Sequence, residues 1–295
     1  MMWIIILFII ILIVYFGICG YAALTFTKVD DHPQFTDDPG TFGLDFETVC
    51  FRSRMDHLQI AGWFIPNRGA ERVMILVHGR DASKQNAISG KFPRLAAELH
   101  GAGLAVLMID LRGHGESEGK RYTFGVHERR DVLGAVDFLL EQGFMPGKIG
   151  VLGISLGGAA VIGAAVEEEA IGVVVVDSIF ADIKMLVQPK WKVESGLPLF
   201  FLPGVFLMWQ LLFGFDLRKV KPVEELAQIP PRPMLVLHSQ VDEKVDVAHA
   251  HVIKKAVPEV ELVIFEDCNH AELYRDSPED YLAVVIPFLR EKWGN

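Results

Sequence analysis

The sequence is poor in the patterns that carry redox, metal or nucleotide chemistry. Three cysteines, Cys19, Cys50 and Cys268, stand in 295 residues with no C-x-x-C pair. They build no disulfide framework; with Cys19 in an apolar segment at most one pair could form, and three ordinary thiols are the simpler reading. There is no H-E-x-x-H, no Cys/His cluster and no G-x-x-x-x-G-K-[ST] loop, so neither a metal nor a cofactor is expected. His249 and His251 form an H-x-H pair, but residues two apart do not share a helix face. Basic residues are the minority, 28 Lys and Arg against 38 Asp and Glu, for a net charge of −10. That balance excludes the basic footprint of a nucleic-acid binder and leaves no polybasic lipid patch. No N-x-Ser/Thr acceptor, internal repeat or low-complexity tract occurs.

Charge itself is missing from one end. Residues 1–26 hold no Asp, Glu, Lys, Arg or His, and only Gly17, Gly20 and Thr25 among them are not apolar. The mean hydropathy of +0.31 is high for a globular chain, and this segment carries the excess. What remains is about 47% apolar, which is ordinary for a folded domain. As a helix, Trp3 to Phe26 would run about 36 Å, against a hydrocarbon core of about 30 Å. A cleaved signal peptide would need a basic start, a shorter apolar core and a small-x-small site. No Lys or Arg precedes the run, Tyr21 spoils the site ending at Ala23, and Phe16-Gly17-Ile18 before Cys19 makes a poor lipoprotein signal. Residues 1–26 therefore read as an uncleaved, single-pass transmembrane anchor. Neither flank is rich in Lys or Arg, and the acidic Asp30, Asp31, Asp37 and Asp38 weigh weakly toward a domain outside the cytoplasm.

Residues 27–43, rich in Asp, Pro and Gly, read as a linker to a domain over 44–295. Apolar β-branched runs at 45–51, 57–65, 72–78, 104–110, 148–154, 171–177, 233–239 and 260–266 predict strands. Helical patterns lie near 83–100, 127–143, 156–169, 246–256 and 278–292. The alternation predicts an α/β fold, a mostly parallel eight-stranded sheet with helices on both faces. The first two strands, with no helix between them, should pair as an antiparallel hairpin at one edge. The alternation never resets, so it reads as one domain rather than two.

Residues 178–222 interrupt the pattern. Within them Ser195 to Phe215 is a charge-free run of 21 residues. Pro198, Pro203 and several glycines argue against one straight helix. A span here would also put strands 148–177 and 233–266 on opposite sides of the bilayer. The segment reads as an apolar cap insertion over the carboxyl edge of the sheet, either roofing a site or packing as ordinary lid helices.

Gly153-Ile154-Ser155-Leu156-Gly157 follows a strand and opens a helix of small residues, the setting in which G-x-S-x-G lifts a serine Oγ out of a sharp turn. A serine needs a base. For this motif the chain order is Ser, acid, His, each after a later strand. Asp242 follows strand 233–239 and His270 follows strand 260–266, both at carboxyl ends of strands, where open parallel sheets place their sites. Ser155, His270 and Asp242 are thus the candidate nucleophile, base and acid. Asp177, Glu243 and Asp246 are rival acids. The oxyanion donors should be the backbone N–H groups of Leu156 and of Arg80, in the turn His78-Gly79-Arg80-Asp81. His78 reads as turn packing. The Arg80 side chain is either solvated or attracts an anionic substrate group. The run Glu167-Glu168-Glu169 reads as a solvated helix end.

With LVHGR (76–80), DLRGHGES (110–117), GISLGG (153–158), DLRKVKP (216–222), HSQVDEKV (238–245) and the Asn269-His270 pair, the chain resembles the α/β-hydrolase family over nearly all of 45–292. It looks most like the membrane-anchored serine hydrolases of the serine aminopeptidase/monoacylglycerol-lipase-like type. The resemblance implies a carboxylesterase or lipase-like activity on acyl esters, with thioesters or amides as alternatives and no cofactor. It departs at Ser239-Gln240, where many members have His-Gly. DLRGHGES reads as a structural turn, with Asp110 and Arg112 making local polar contacts. The apolar insertion and the anchor point to a lipophilic acyl substrate. The rivals are a peptidase or amidase on the same triad and a non-catalytic binding protein, against which the complete Ser, Asp and His set speaks.

Overall fold

The computed structural model describes residues 1–30 and 35–293; residues 31–34 of the linker and 294–295 of the domain lie outside the described residues. The eight strands are β1 (Glu47–Arg52), β2 (Gln59–Ile65), β3 (Val73–Val77), β4 (Ala105–Ile109), β5 (Ile149–Ile154), β6 (Ile171–Asp177), β7 (Met234–Ser239) and β8 (Glu261–Phe265). The helices are α1 (Met2–Thr25), α2 (Ala87–Gly90), α3 (Phe92–Gly101), α4 (Arg129–Glu141), α5 (Leu156–Glu167), α6 (Ile183–Ser195), α7 (Leu202–Phe213), α8 (Pro222–Leu226), α9 (Ala248–Ala256), α10 (Leu273–Asp276) and α11 (Pro278–Lys292). They fold as two compact units, one of residues 1–28 and 182–221, the other of residues 29–181 and 222–295.

In the larger unit the strands form one sheet in the order β1-β2-β4-β3-β5-β6-β7-β8. The expected hairpin is present: β1 runs antiparallel to β2, and β2 antiparallel to β4. Every other pairing is parallel. Apolarity explains the register of layers. All five residues of β3 and of β4 and all six of β5 are buried, because helices cover both faces of these central strands. Edge strand β1 instead alternates exposed and half-buried residues. One side of the core packs Phe92, Leu95 and Leu99 of α3 and Tyr281, Val285 and Phe288 of α11 onto the sheet.

The helix expected over 83–100 is broken. Ile88 and Ser89 have positive φ, and α3 begins afresh at Phe92 with Pro93 in its first turn. Proline fits a first turn, where its missing N–H is not needed, and disfavours helix in the residue before it.

In the smaller unit the charge-free run 195–215 is interrupted where its prolines and glycines stand. Gly196 ends α6 and Gly214 ends α7, both left-handed. Pro203 sits in the first turn of α7, after a short 3-10 turn at Leu199–Phe201. α1 is the one helix among the described residues long and apolar enough to cross a membrane.

Candidate active site

The sheet order places a switch point at β3. The chain leaves β3 toward β4 on one side and later returns to β5 on the other, so the loops after β3 and β5 diverge and leave a crevice at their carboxyl ends. Val77 pairs with Gly153, which sets the loop after β3 against Ser155. A Cβ added at Gly79 would lie 3.4 Å from the Ser155 Cβ and 3.3 Å from the Ile154 carbonyl.

Ser155 occupies the turn between β5 and α5 with φ 51° and ψ −112°, a conformation side chains rarely adopt and which costs on the order of 1–3 kcal/mol. Its neighbours allow the turn only because they lack side chains. A Cβ at Gly153 would overlap the Gly157 carbonyl, and one at Gly157 would overlap the carbonyls of His78 and Val77. Gly157→Ala is therefore expected to destabilise the fold by about 2 kcal/mol or more, because backbone must move to admit the methyl. Chemical denaturation would check this, and a midpoint equal to wild type would contradict it. Leu156 is the first residue of α5, so its N–H belongs to the set that has no acceptor within the helix.

His270 and Asp242 come to the same place from the loops after β8 and β7. His270 Nε2 lies 3.0 Å from Ser155 Oγ, and His270 Nδ1 lies 2.7 Å from Asp242 Oδ2. The other Asp242 oxygen, Oδ1, accepts the backbone N–H groups of Lys244 at 2.8 Å and Val245 at 2.7 Å. The carboxylate is thereby fixed, leaving Oδ2 facing the imidazole. Burial would raise the Asp242 carboxyl, but the hydrogen bond and charge of His270, with the two backbone donors, hold it below its ordinary value. An ionised Asp242 selects the tautomer with the proton on Nδ1, which leaves Nε2 free to accept the Ser155 proton.

Two of the rival acids, Asp177 and Asp246, bond to groups other than His270. The Asp177 carboxyl accepts the Ser178 hydroxyl at 2.8 Å, and burial pushes it up to about 7. Asp246 Oδ1 accepts the Ala248 N–H at 2.8 Å, just ahead of α9. Ser178 Oγ in turn accepts the N–H of Ala271 at 3.1 Å, tying the end of β6 to the residue that follows His270. Ser239, where the resembling family often has histidine, joins the other two loops. Its Oγ donates to the Cys268 carbonyl at 2.5 Å and accepts the Val241 N–H at 3.2 Å. His238 lies 3.9 Å from Asp242 Oδ2 but bonds the Val245 carbonyl at 2.8 Å through Nε2. Burial lowers its pKa, and of the two imidazoles it is His270 that meets the Asp242 carboxylate at hydrogen-bond distance.

The loop after β3, which carries Arg80, is strapped to the DLRGHGES segment after β4. His78 Nε2 accepts the Leu111 N–H at 2.9 Å, and His114 Nε2 accepts the Asp81 N–H at 3.1 Å. Lys84, 3% exposed, donates to Asp110 Oδ2 at 2.6 Å while its backbone N–H donates to Oδ1 at 2.7 Å. Arg112 is held by Asp131 and Asp56. His78 is thus a packing histidine, and Asp110 and Arg112 make the local contacts expected of them. The Arg80 guanidinium is neither simply solvated nor a bare cation. It pairs with Asp81 at 3.1 Å and lies over the Tyr122 ring at 5.9 Å, so its charge is offset before any substrate anion arrives. The acidic run is likewise more than a solvated end. Glu168 pairs with Arg54 at 2.8 Å and Glu167 with Arg129 at 3.3 Å, because cations from neighbouring elements reach that helix end. His249 is buried, with Nδ1 accepting the Ala181 N–H at 2.9 Å, while His251 is exposed. Among the described residues no group of His, Cys, Asp and Glu is arranged to hold a metal ion.

Residues 74–284 match the alpha/beta hydrolase family. The chain is 28% identical over 236 residues to the uncharacterized protein YqkD of Bacillus subtilis, covering 78% of this chain and 75% of that protein. A shorter stretch of 114 residues is 33% identical to the thiohydrolase aneE of Aspergillus aculeatus, covering 38% of this chain and 35% of that one. Among solved structures, the esterase Pf2001 of Pyrococcus furiosus superposes with a TM-score of 0.72 at 25% identity, covering 91% of this chain and all of that one.

Proposed function

Because the chain belongs to the alpha/beta hydrolase family, we propose that it is a membrane-anchored serine hydrolase that cleaves carboxylic esters of lipophilic acyl groups. The observation that carries this reading is the unbroken relay from Ser155 Oγ through His270 to Asp242, at 3.0 and 2.7 Å. Ser155 attacks the ester carbonyl as His270 Nε2 takes its proton. The backbone N–H groups of Leu156 and Arg80 receive the oxyanion. His270 then protonates the leaving alcohol, and an acyl group remains on Ser155. Water, activated by the same imidazole, releases the acid and restores the serine. Asp242 stays ionised throughout and stabilises the imidazolium.

The esterase neighbour supports ester chemistry. The thiohydrolase relative supports a second reading, thioester hydrolysis on the same three residues. α1, with its uninterrupted apolar surface, supports a single-pass anchor, and the acidic flank after it is the weak ground for placing the domain outside the cytoplasm. That setting, with the apolar 195–215 run, favours a medium or long acyl chain. The test is a series of p-nitrophenyl esters and matched thioesters of graded chain length, assayed on the full chain. Efficiency that rises from acetate toward longer chains supports the reading. A maximum at acetate contradicts the lipophilic substrate, and faster thioester turnover at equal chain length moves the assignment to thioesters.

A further inference from the structure

α1 and the insertion belong to the same compact unit, and their contacts fix a depth. We infer that the tip of the insertion, residues 199–207, is sunk into the hydrocarbon of the same bilayer that α1 crosses. The inference rests on the reading of α1 as a membrane span.

Two aromatic side chains mark the frame. Trp3 and Tyr21 are both exposed, about 27 Å apart along the helix at 1.5 Å per residue. That nearly matches a hydrocarbon core of about 30 Å, and Trp and Tyr favour its two boundaries. Residues 2–14 are exposed without exception, but they supply only about 20 Å of helix. The remaining third of the span must therefore be made by residues 15–21, and these are the residues that touch the insertion. Tyr15 stacks on Phe201 at 5.2 Å, and its hydroxyl donates to the Phe200 carbonyl at 2.9 Å. The Cys19 thiol donates to the Phe201 carbonyl at 3.6 Å. A Cβ at Gly204 would lie 2.6 Å from Cys19 Sγ and from the Tyr15 hydroxyl, and one at Gly20 would lie 3.3 Å from Met208. The two helices thus run side by side in the same direction. Residues 199–201 stand level with Tyr15, about 9 Å inside the Tyr21 boundary, and α7 rises out of the hydrocarbon toward its carboxyl end.

The surface chemistry agrees with that placement. Leu199 and Phe200 are 56% and 63% exposed, and Leu207 and Leu211 form an exposed stripe on α7. A water-facing stripe would be polar. The polar groups at this depth, the Tyr15 hydroxyl and the Cys19 thiol, both find carbonyl acceptors within the unit, as a lipid environment requires. Charge returns on either side of the apolar run. Segment 182–221 carries six basic residues against three acidic ones, in a chain of net charge −10. Trp191 stacks on Phe26 at 5.6 Å, which puts Lys190 and Lys192 outside the Tyr21 boundary, at the depth of lipid headgroups. The insertion enters and leaves by one leaflet and spans nothing, so it lies in the membrane as a re-entrant wedge beside α1.

The test places an environment-sensitive fluorophore on single cysteines of the full chain, with Cys19, Cys50 and Cys268 replaced by alanine. The chain is reconstituted in phosphatidylcholine vesicles containing phosphatidylglycerol. The sites are Phe8→Cys on the anchor, Leu199→Cys and Leu207→Cys on the tip, Leu211→Cys on the rising helix, and the exposed Met145→Cys as a water-side control. Lipids spin-labelled deep or shallow on the acyl chain act as quenchers. Deep quenching at 8 and 199, shallow quenching at 207 and 211 and none at 145 is the expected result, with at least about a twofold loss of signal at each quenched site. Quenching at 8 with none at both 199 and 207 overturns the inference while leaving the anchor intact, whether those tip sites report water or a second copy of the chain. No quenching at 8 removes the anchor itself, and the inference with it.

Discussion

Ser155→Ala is expected to lower kcat for ester hydrolysis by about 10⁴-fold or more, leaving only the residual rate that binding and oxyanion donors supply. The size of the loss follows from what the hydroxyl does: without Oγ no acyl-enzyme forms, and His270 has no proton to take. The fold should tolerate the change, since alanine keeps the Cβ that the turn already accommodates at φ 51°. Parallel measurement of kcat and thermal midpoint separates the two effects. A loss of activity matched by a loss of folding would say nothing for chemistry, whereas full activity in the folded variant would remove Ser155 from the mechanism.

Asp242→Asn should cost nearly as much, about 10⁴-fold in kcat, by inverting the histidine. The Lys244 and Val245 N–H groups both point at Oδ1, so the amide oxygen of an asparagine is held there. Its NH2 then faces His270 Nδ1, which must accept rather than donate. The ring proton moves to Nε2, and the imidazole can no longer take a proton from Ser155. Asp177→Asn is the contrasting variant. Asp177 touches Ser178 rather than His270, so activity should stay within about tenfold of wild type. Stability should also separate the two states of Asp177. A free carboxyl of this type titrates at 3.8, and burial pushes Asp177 up to about 7. Between those values the folded protein holds a proton that the unfolded chain releases, so this group lowers stability as pH rises through the window. The Asn variant has no such proton. Its stability relative to wild type should grow between about pH 4 and pH 8, by on the order of 4 kcal/mol. A pH-independent difference in denaturation midpoints would contradict the raised value, and a Asp177→Asn variant less active than Asp242→Asn would exchange their roles.

The three candidate site residues that the structure brings together are legible in the sequence because each sits where local rules act. Ser155 lies between two glycines whose absent side chains the strand-to-helix turn demands. Asp242 and His270 each follow a short β-branched apolar run of strand length, buried throughout in β7 and half-buried in β8. The supports of these residues were not readable, because they join segments distant in the chain. Ser178 meets Ala271 across 93 positions, and Lys84 meets Asp110 across 26. No periodicity marks such pairs; only the sheet order, which runs β6-β7-β8 on one side and sets β3 beside β4 on the other, brings them together. The break at Ile88 and Ser89 was missed for a related reason, since apolar spacing continues through a kink that backbone angles alone reveal. The two apolar segments show the same division. Composition made residues 1–26 and 195–215 look alike, and only their packing side by side tells how deep the second could lie.

The most direct test of the central claim is reaction of the full chain with a fluorophosphonate probe, followed by mass spectrometry of the peptides. A single adduct is expected on the serine of Gly153-Ile154-Ser155-Leu156-Gly157, absent from Ser155→Ala and strongly slowed in Asp242→Asn. No adduct on the folded protein, or one on a different residue, would contradict it.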